Sequence, residues 1–529
     1  MAERLARAAL GVALLGLVVL PLGNLFVTAL SDGPSAALLA LGDPAGSAIL
    51  TTLLVGGATT LGAVGIGTAA AVATERGSLP GRGVLRAGML LPLLVPGFVS
   101  ALSWVQAYGP GGLSHDLLGL ELPGLYGLPG VIAVTVVETV PITYLVVAAA
   151  LATRSEPDME RAARAAGAGR WRAAATVTLP LLAPALGAAA VLAFVFAVNA
   201  FGVPAILGTP ARVVTVTVRI YQDLALSSDP AAFVRATVLA GSLVLLAVVT
   251  VGSADALLST GRAVRTGTAG GATGPARRGG WWTAGLLWCY LALTLIIPLL
   301  ALVLASVTRA VGLPPTPEHW TLGNYAAALS GRAWEALGHS ALLAALSALA
   351  VVALAGLVLA LRRGALRRLV SIGVALPLAV PGSALAVAIL LTWGNPLRDT
   401  LLLIGVAYVA KFWAIGHRTL VGAADAQSGA PLLAARAAGA SRWEALLTIT
   451  VPLMRPAILG SLGAVFLLAF HELTMSSLLH GPGTATLAVV ILNLQELGDV
   501  ASTSALAVVL SAISLAGAAG LLLVTRRRP

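Results

Sequence analysis

Long apolar stretches separated by short polar connections run the length of the chain. They occupy roughly residues 8–30, 48–73, 87–108, 128–152, 178–200, 232–257, 283–307, 340–361, 367–392, 399–422, 455–479 and 501–524. Each is close to the roughly 20 residues that carry a helix across a hydrocarbon layer about 30 Å thick. In lipid a segment must satisfy its own backbone N–H and C=O groups. Only helices and closed barrels do so, and none of these runs alternates as a barrel strand would. The pattern predicts an all-α polytopic membrane protein with about 12 transmembrane helices. The first run, behind Arg4 and Arg7, exceeds the core of about 7 to 15 residues typical of a cleaved signal, so it is read as a retained span.

Composition agrees with this reading. The 529 residues are 58% hydrophobic and 10% charged, with a mean hydropathy of +0.96, whereas a soluble domain carries about 25% charged residues. The net charge of +11 does not point to nucleic acid, because the arginines cluster between spans and form no continuous stripe. With the N-terminus inside, 25 of the 32 Lys and Arg residues fall on cytoplasmic connections and six on the opposite side. This bias predicts a multi-pass protein of the inner (cytoplasmic) membrane with both termini cytoplasmic. The single cysteine, Cys289, lies in an apolar run and is given a structural role.

The pattern also repeats. LPLLVPG (Leu91–Gly97) returns as LPLAVPG (Leu376–Gly382), and AARAAGAGRWRA (Ala162–Ala173) returns 272 positions later as AARAAGASRWEA (Ala434–Ala445). The offsets of the two anchors differ by 13 residues, which fits the longer outer loop Tyr108–Leu128 of the first copy. The sequence therefore divides into a first six-helix repeat, 1–258, a Gly-, Thr- and Arg-rich cytoplasmic linker, 259–282, and a second repeat, 283–529. An even number of spans per copy makes the repeats parallel, with a pathway expected between them.

Two connections, 154–180 and 424–452, share a helix, glycine, helix form. Ser155, Glu156, Pro157 and Asp158 open the first helix and Gly167 ends it; Pro431 and Gly439 do the same in the second loop. Ser441 with Glu444 forms a capping-box pattern for the helix that follows, and Pro180 and Pro452 precede the next spans. At these residues the chain resembles the permease subunits of binding-protein-dependent ABC importers, whose signature is Glu-Ala-Ala, three residues, Gly, nine residues, then Ile-x-Leu-Pro. Ala162, Ala163, Gly167, Val177, Leu179 and Pro180 fit it, as do Ala434, Ala435, Gly439, Ile449, Val451 and Pro452. Arg161 and Leu433 stand where the family has Glu, with Glu160 one residue away in the first copy.

The resemblance spans essentially the whole chain, and its nearest form is the fused, two-copy permease of iron(III)-type importers, a group close to thiamine, polyamine and aminoethylphosphonate permeases. Asn199–Gly208, Val214–Leu224, His319–Leu329 and His471–Gln495 resemble segments of those permeases. The resemblance implies a type I, MetI-like fold and iron(III) as the first expected solute. It further implies coupling loops that dock on two copies of an ATP-binding cassette ATPase carrying ATP and Mg, and an external solute-binding protein.

The chain shows no chemistry of its own. Its only lysine, Lys411, lies in VAKFW inside the tenth run, so no phosphate-binding P-loop is present, and HExxH, CxxC and GxSxG are absent. It is read as a permease, not an enzyme, without cofactor or metal. Glu138 and Lys411, mid-span and one residue from equivalence under the 272 offset, are expected to pair or to line a wet cavity between the halves. Asn199 matches His471 under the same offset, and His471 and Glu472 are placed in the eleventh span; these three are further pathway candidates. Pro92, Pro96, Pro377 and Pro381 are expected to kink their spans. An ion-coupled secondary transporter with two six-helix halves is the rival reading. The connection Glu75–Arg86, however, lacks the aspartate expected there, and that reading leaves the duplicated loop unexplained.

Overall fold

The protein is seen in a computed structural model that describes residues 2–526 apart from 32, 78, 155–156, 261–279, 311, 360, 362–363 and 428–429. The centre of the expected linker, 259–282, therefore lies outside the described residues, as do Ser155 and Glu156. The described chain is helical, and its one β-type pairing is the isolated bridge between Thr308 and Trp320. Among the described residues ten helices are long and apolar enough to span a membrane, and two bent pairs bring the total to 12 if each is one span.

Those two pairs are the third and ninth runs, and they are broken, not kinked. Arg82–Leu94 meets Gly97–Leu118 at 106°, and Ala365–Ala379 meets Gly382–Leu397 at 111°. The cause is local. A residue before proline is pushed out of the helical region: Val95 and Val380 are extended (ψ 124° and 131°), and Pro96 and Pro381 remain extended behind them (ψ 140° and 141°) before the helix restarts at glycine. Two consecutive extended residues turn the chain by a right angle.

The helices form two compact units. One comprises Met1–Gly42, Ile220–Val244 and Leu322–Pro529; the other comprises Asp43–Arg219 and Leu245–Thr321. The units differ from the two sequence repeats in two respects: the opening span of each repeat is built into the unit that holds the other repeat's core, and Ile220–Val244 of the first repeat also belongs to the unit holding the second repeat's core.

In the second of these units Ala45–Arg76 packs along Leu128–Arg154 and Leu179–Asn199. Glycines make the close approach: a Cβ on Gly62 would meet Val136, and one on Gly67 would overlap the Thr143 hydroxyl and stand 3.0 Å from the Tyr144 backbone nitrogen. The Thr143 hydroxyl donates across the contact to the Ala63 carbonyl at 2.7 Å. The seventh span, Trp281–Val307, joins this unit through a gap in its own hydrogen bonding. Its π-turn bonds Ile297 N–H to the Ala292 carbonyl, so Pro298, which has no N–H, leaves the Leu293 and Thr294 carbonyls without helical donors. Tyr108 Oη and Trp104 Nε1 supply them, at 2.5 and 3.1 Å.

The other unit repeats the device. In the first span, Arg4–Ala29, Leu20 N–H reaches back to Leu15, Pro21 leaves the Gly16 carbonyl open, and Trp393 Nε1 donates to it at 3.0 Å. Asn24 Nδ2 donates in return to the Leu391 carbonyl at 3.1 Å. Each bent pair thus clamps the proline-interrupted opening span of the opposite repeat.

The glycine contact gives a test. Gly67→Ala must push two helices apart and is expected to destabilise the detergent-solubilised protein by about 1–3 kcal/mol in a thermal melt. Gly65→Ala, where a Cβ meets nothing within 4 Å, is expected to leave the midpoint unchanged or slightly higher.

Candidate functional site

Both duplicated loops fold as helix, left-handed glycine, helix. In the first, Pro157–Ala165 ends at Gly167 (φ +90°), and Arg170–Ala173 leads through a π-turn, Ala174–Thr178, into Leu179–Asn199. In the second, Ala430–Ala437 ends at Gly439 (φ +92°), and Arg442–Ala445 leads through Leu446–Thr450 into Val451–Phe470. The closing bonds match. Gly167 N–H donates to the Arg164 carbonyl and Ala168 N–H to Ala163, both at 3.0 Å; Gly439 N–H donates to Arg436 at 3.1 Å and Ala440 N–H to Ala435 at 3.0 Å. This double closure needs a residue at positive φ. A Cβ at either glycine would meet nothing within 4 Å, so backbone conformation alone selects glycine there. Ala162 and Ala434 are exposed and Ala163 and Ala435 half-buried, while Pro180 and Pro452 sit in the first turn of the next helix, where a missing N–H leaves no bond unmade.

The loops are anchored differently. Glu160 accepts from Arg76, at the end of Ala45–Arg76, at 2.7 Å and lies 3.5 Å from the Thr178 hydroxyl; Arg76 also donates to Thr178 at 3.1 Å. The helix Ala430–Ala437 of the second loop contains no acidic residue to do the same. Instead Ser441 N–H donates to the Glu444 carboxylate at 2.7 Å and Glu444 N–H donates to the Ser441 hydroxyl at 3.2 Å, the reciprocal cap expected from their spacing. These bonds, the Ser441 backbone N–H first, hold the Glu444 carboxyl below the usual carboxylate range. The cap is therefore present at neutral pH and is lost as pH falls through that lowered value.

Deeper in each unit a charged residue lies against the broken span. Leu378 and Val380 flank the end of the helix before the Pro381 break, and the Lys411 ammonium donates to both carbonyls, to Leu378 at 3.3 Å. Glu472 is its electrostatic partner. Glu472 in turn accepts from Met475 N–H at 2.9 Å, Ser476 N–H at 3.1 Å and the Ser476 hydroxyl at 3.1 Å; that hydroxyl is 2.6 Å from Tyr408 Oη. In the other unit Glu138, 7% exposed, interacts with Ser100 on the restarted helix Gly97–Tyr108. A Cβ on Gly97 would stand 2.9 Å from both carboxylate oxygens, so the glycine is what admits the side chain. Thus a cation holds the carbonyl end of one break, matching the polarity of that helix end, and at the other a carboxylate lies beside the start of the restarted helix.

Residues 62–258 and 352–528 match the family described as "Binding-protein-dependent transport system inner membrane component". The chain belongs to this family. A probable ABC transporter permease, y4fN, of Sinorhizobium fredii is 27% identical over 479 residues, 84% of this chain and 81% of the relative. A putative 2-aminoethylphosphonate transport system permease, PhnV, of Salmonella typhimurium is 30% identical over 205 residues, 38% of this chain and 77% of its own length. The thiamine transport system permease ThiP of Brucella abortus is 30% identical over 171 residues, 32% of this chain and 31% of its own length. The two family matches are the two repeats, and the chain is a multi-pass permease of ABC importer type.

Within this permease the expected pathway residues fall in several places. Glu138 and Lys411 are each engaged inside their own unit. His471 and Glu472 do not lie within the eleventh span, because its helix ends at Phe470 and a new one starts at Thr474. The interruption is made by the residues themselves: Glu472 turns its carboxylate onto the next backbone amides and starts the new helix. His471 Nδ1 is buried without a hydrogen bond among the described residues. Asn199 occupies the matching helix end, its Nδ2 donating back to the Val195 carbonyl at 2.7 Å. Sequence reasoning missed the buried Asp223, which binds Arg235 twice (2.7 and 2.9 Å), and the 3.4 Å contact of Tyr221 Oη with Glu496. An Asp and an Arg 12 residues apart, flanking a loop, were the available signal for the first.

Lys411→Met strands two carbonyls and a carboxylate. It is expected to destabilise the protein by about 3–5 kcal/mol in denaturation measurements. Combined with Glu472→Gln, the loss should fall short of the sum of the single losses by more than about 0.5 kcal/mol; additivity would contradict the pairing.

Proposed function

We propose that the chain forms the translocation pathway of an ATP-driven importer, with ATP hydrolysed by separate subunits that grip the two coupling loops and solute delivered by an external binding protein. The observation that carries this reading is the duplicated helix, left-handed glycine, helix loop: one geometry at two places 272 residues apart, each continuous with the span that follows it. A rigid loop of this form transmits a push from outside the bilayer into that span. The ion-coupled reading has no use for a paired lever. The arginine bias supports placing both loops, and both termini, on the cytoplasmic side.

For the solute, the relatives' names weigh for a small organic compound of the aminoethylphosphonate or thiamine kind over iron(III). The resemblance of Asn199–Gly208 and His471–Gln495 to iron permeases stands on the other side.

The test is Gly167→Leu with Gly439→Leu. A side chain forced to positive φ disfavours the loop by about 1–2 kcal/mol at each site. ATP-driven uptake by the reconstituted complex should fall by about tenfold or more, while the permease alone keeps its elution profile as a folded protein. Full uptake by the double variant would refute the lever reading. Ranking 2-aminoethylphosphonate, thiamine and iron(III) by the stimulation of ATP hydrolysis each gives through the binding protein would assign the solute class.

A further inference from the structure

Both coupling helices carry an arginine at the same repeat position. Arg164 and Arg436 are 272 residues apart, each in the last turn of its helix, each exposed, and each three residues before the left-handed glycine. Neither has an ion-pair partner among the described residues, although carboxylates lie close in the sequence. Those among the described side chains are committed elsewhere: Glu160 is taken by Arg76, Glu444 by the Ser441 N–H, and Asp425, at the start of the second loop, by Arg367 at 3.0 Å. The helix Ala430–Ala437 has no acid to offer. The first loop adds a second exposed cation, Arg172, where the second loop has Glu444.

The position that carries an acid in the family signature is therefore Arg161 in one loop and Leu433 in the other, and the acid nearest to it in the first loop is bound to Arg76. Among the described side chains, each helix offers arginine outward, and the one carboxylate, Glu160, is bound to Arg76. We infer that Arg164 and Arg436 are the polar contacts through which both loops engage the ATPase subunit, and that the cleft receiving them is acidic, with a carboxylate placed to accept from each guanidinium. This rests on the importer reading above and adds the polarity of its interface. Arginine suits the role because its planar fork binds a carboxylate through two parallel hydrogen bonds. A carboxylate partner also predicts unequal loops: the first, with Arg172 added, holds its ATPase copy more tightly than the second.

The experiment measures binding of the cognate ATPase subunit to the purified permease in detergent, for wild type, Arg164→Glu/Arg436→Glu and Arg164→Lys/Arg436→Lys. Elution profile and melting point of each permease alone serve as the check on folding. The Glu variant is expected to fold as wild type and to bind at least about tenfold more weakly, and the Lys variant to lie between the two. Wild-type affinity should fall as salt rises from about 0.05 to 0.5 M, and the single variant Arg164→Glu should weaken binding more than Arg436→Glu. Equal affinity of the Glu variant and wild type would overturn the inference while leaving the importer reading intact. So would a charge effect seen only in flotation with vesicles of anionic phospholipid, which would assign these arginines to lipid headgroups. Failure of wild type to bind any ATPase would overturn the importer reading itself.

Discussion

A backbone carbonyl without a donor is costly in hydrocarbon, where no water can replace the missing bond. Proline creates such carbonyls wherever it interrupts a span, and this chain uses it at the points where its helices must be both interrupted and joined. Pro298 and Pro21 open carbonyls that Trp104, Tyr108 and Trp393 fill, so the interruption becomes the docking site for another helix. Pro381 opens carbonyls that Lys411 fills. The break at Pro96 is supported from its far side by Glu138. The interruptions at Pro298, Pro21 and Pro381 each have particular side chains that fill the carbonyls they leave open, and Glu138 lies against the break at Pro96.

What could be read from the sequence is what depends on neighbours in the sequence. Span positions follow from runs of apolar residues. The repeat follows from matching strings, and the coupling loops from local cap chemistry: the Ser441–Glu444 box and the two left-handed glycines stand where their spacing puts them. Non-local arrangements were not legible. Four prolines in the third and ninth runs indicated bending, but a right-angle break needs two consecutive extended residues, and sequence does not separate that from a shallow kink. The placement of each opening span in the opposite unit depends on a tryptophan in one repeat meeting an orphaned carbonyl in the other. Neither group signals this alone.

The charged residues show the same limit. Glu138 and Lys411, of opposite sign and at nearly equivalent positions, each lie against the break of their own repeat. The apolar run continues past Glu472 and so places it within a span. Its carboxylate binds the amides of Met475 and Ser476 and starts a new helix there. A carboxylate that close to free backbone donors makes a helix boundary inside an otherwise hydrophobic run.

On the proposed function, the two duplicated loops act as levers on the spans that follow them. A permease worked in this way moves solute only when driven from outside. Uptake of solute into sealed vesicles containing the purified chain tests this directly, with ATPase, binding protein and ATP supplied or withheld in turn and an ion gradient imposed in their absence. Accumulation is expected only when all three are present, and none under a gradient alone. Accumulation driven by the gradient, without nucleotide or partners, would contradict it.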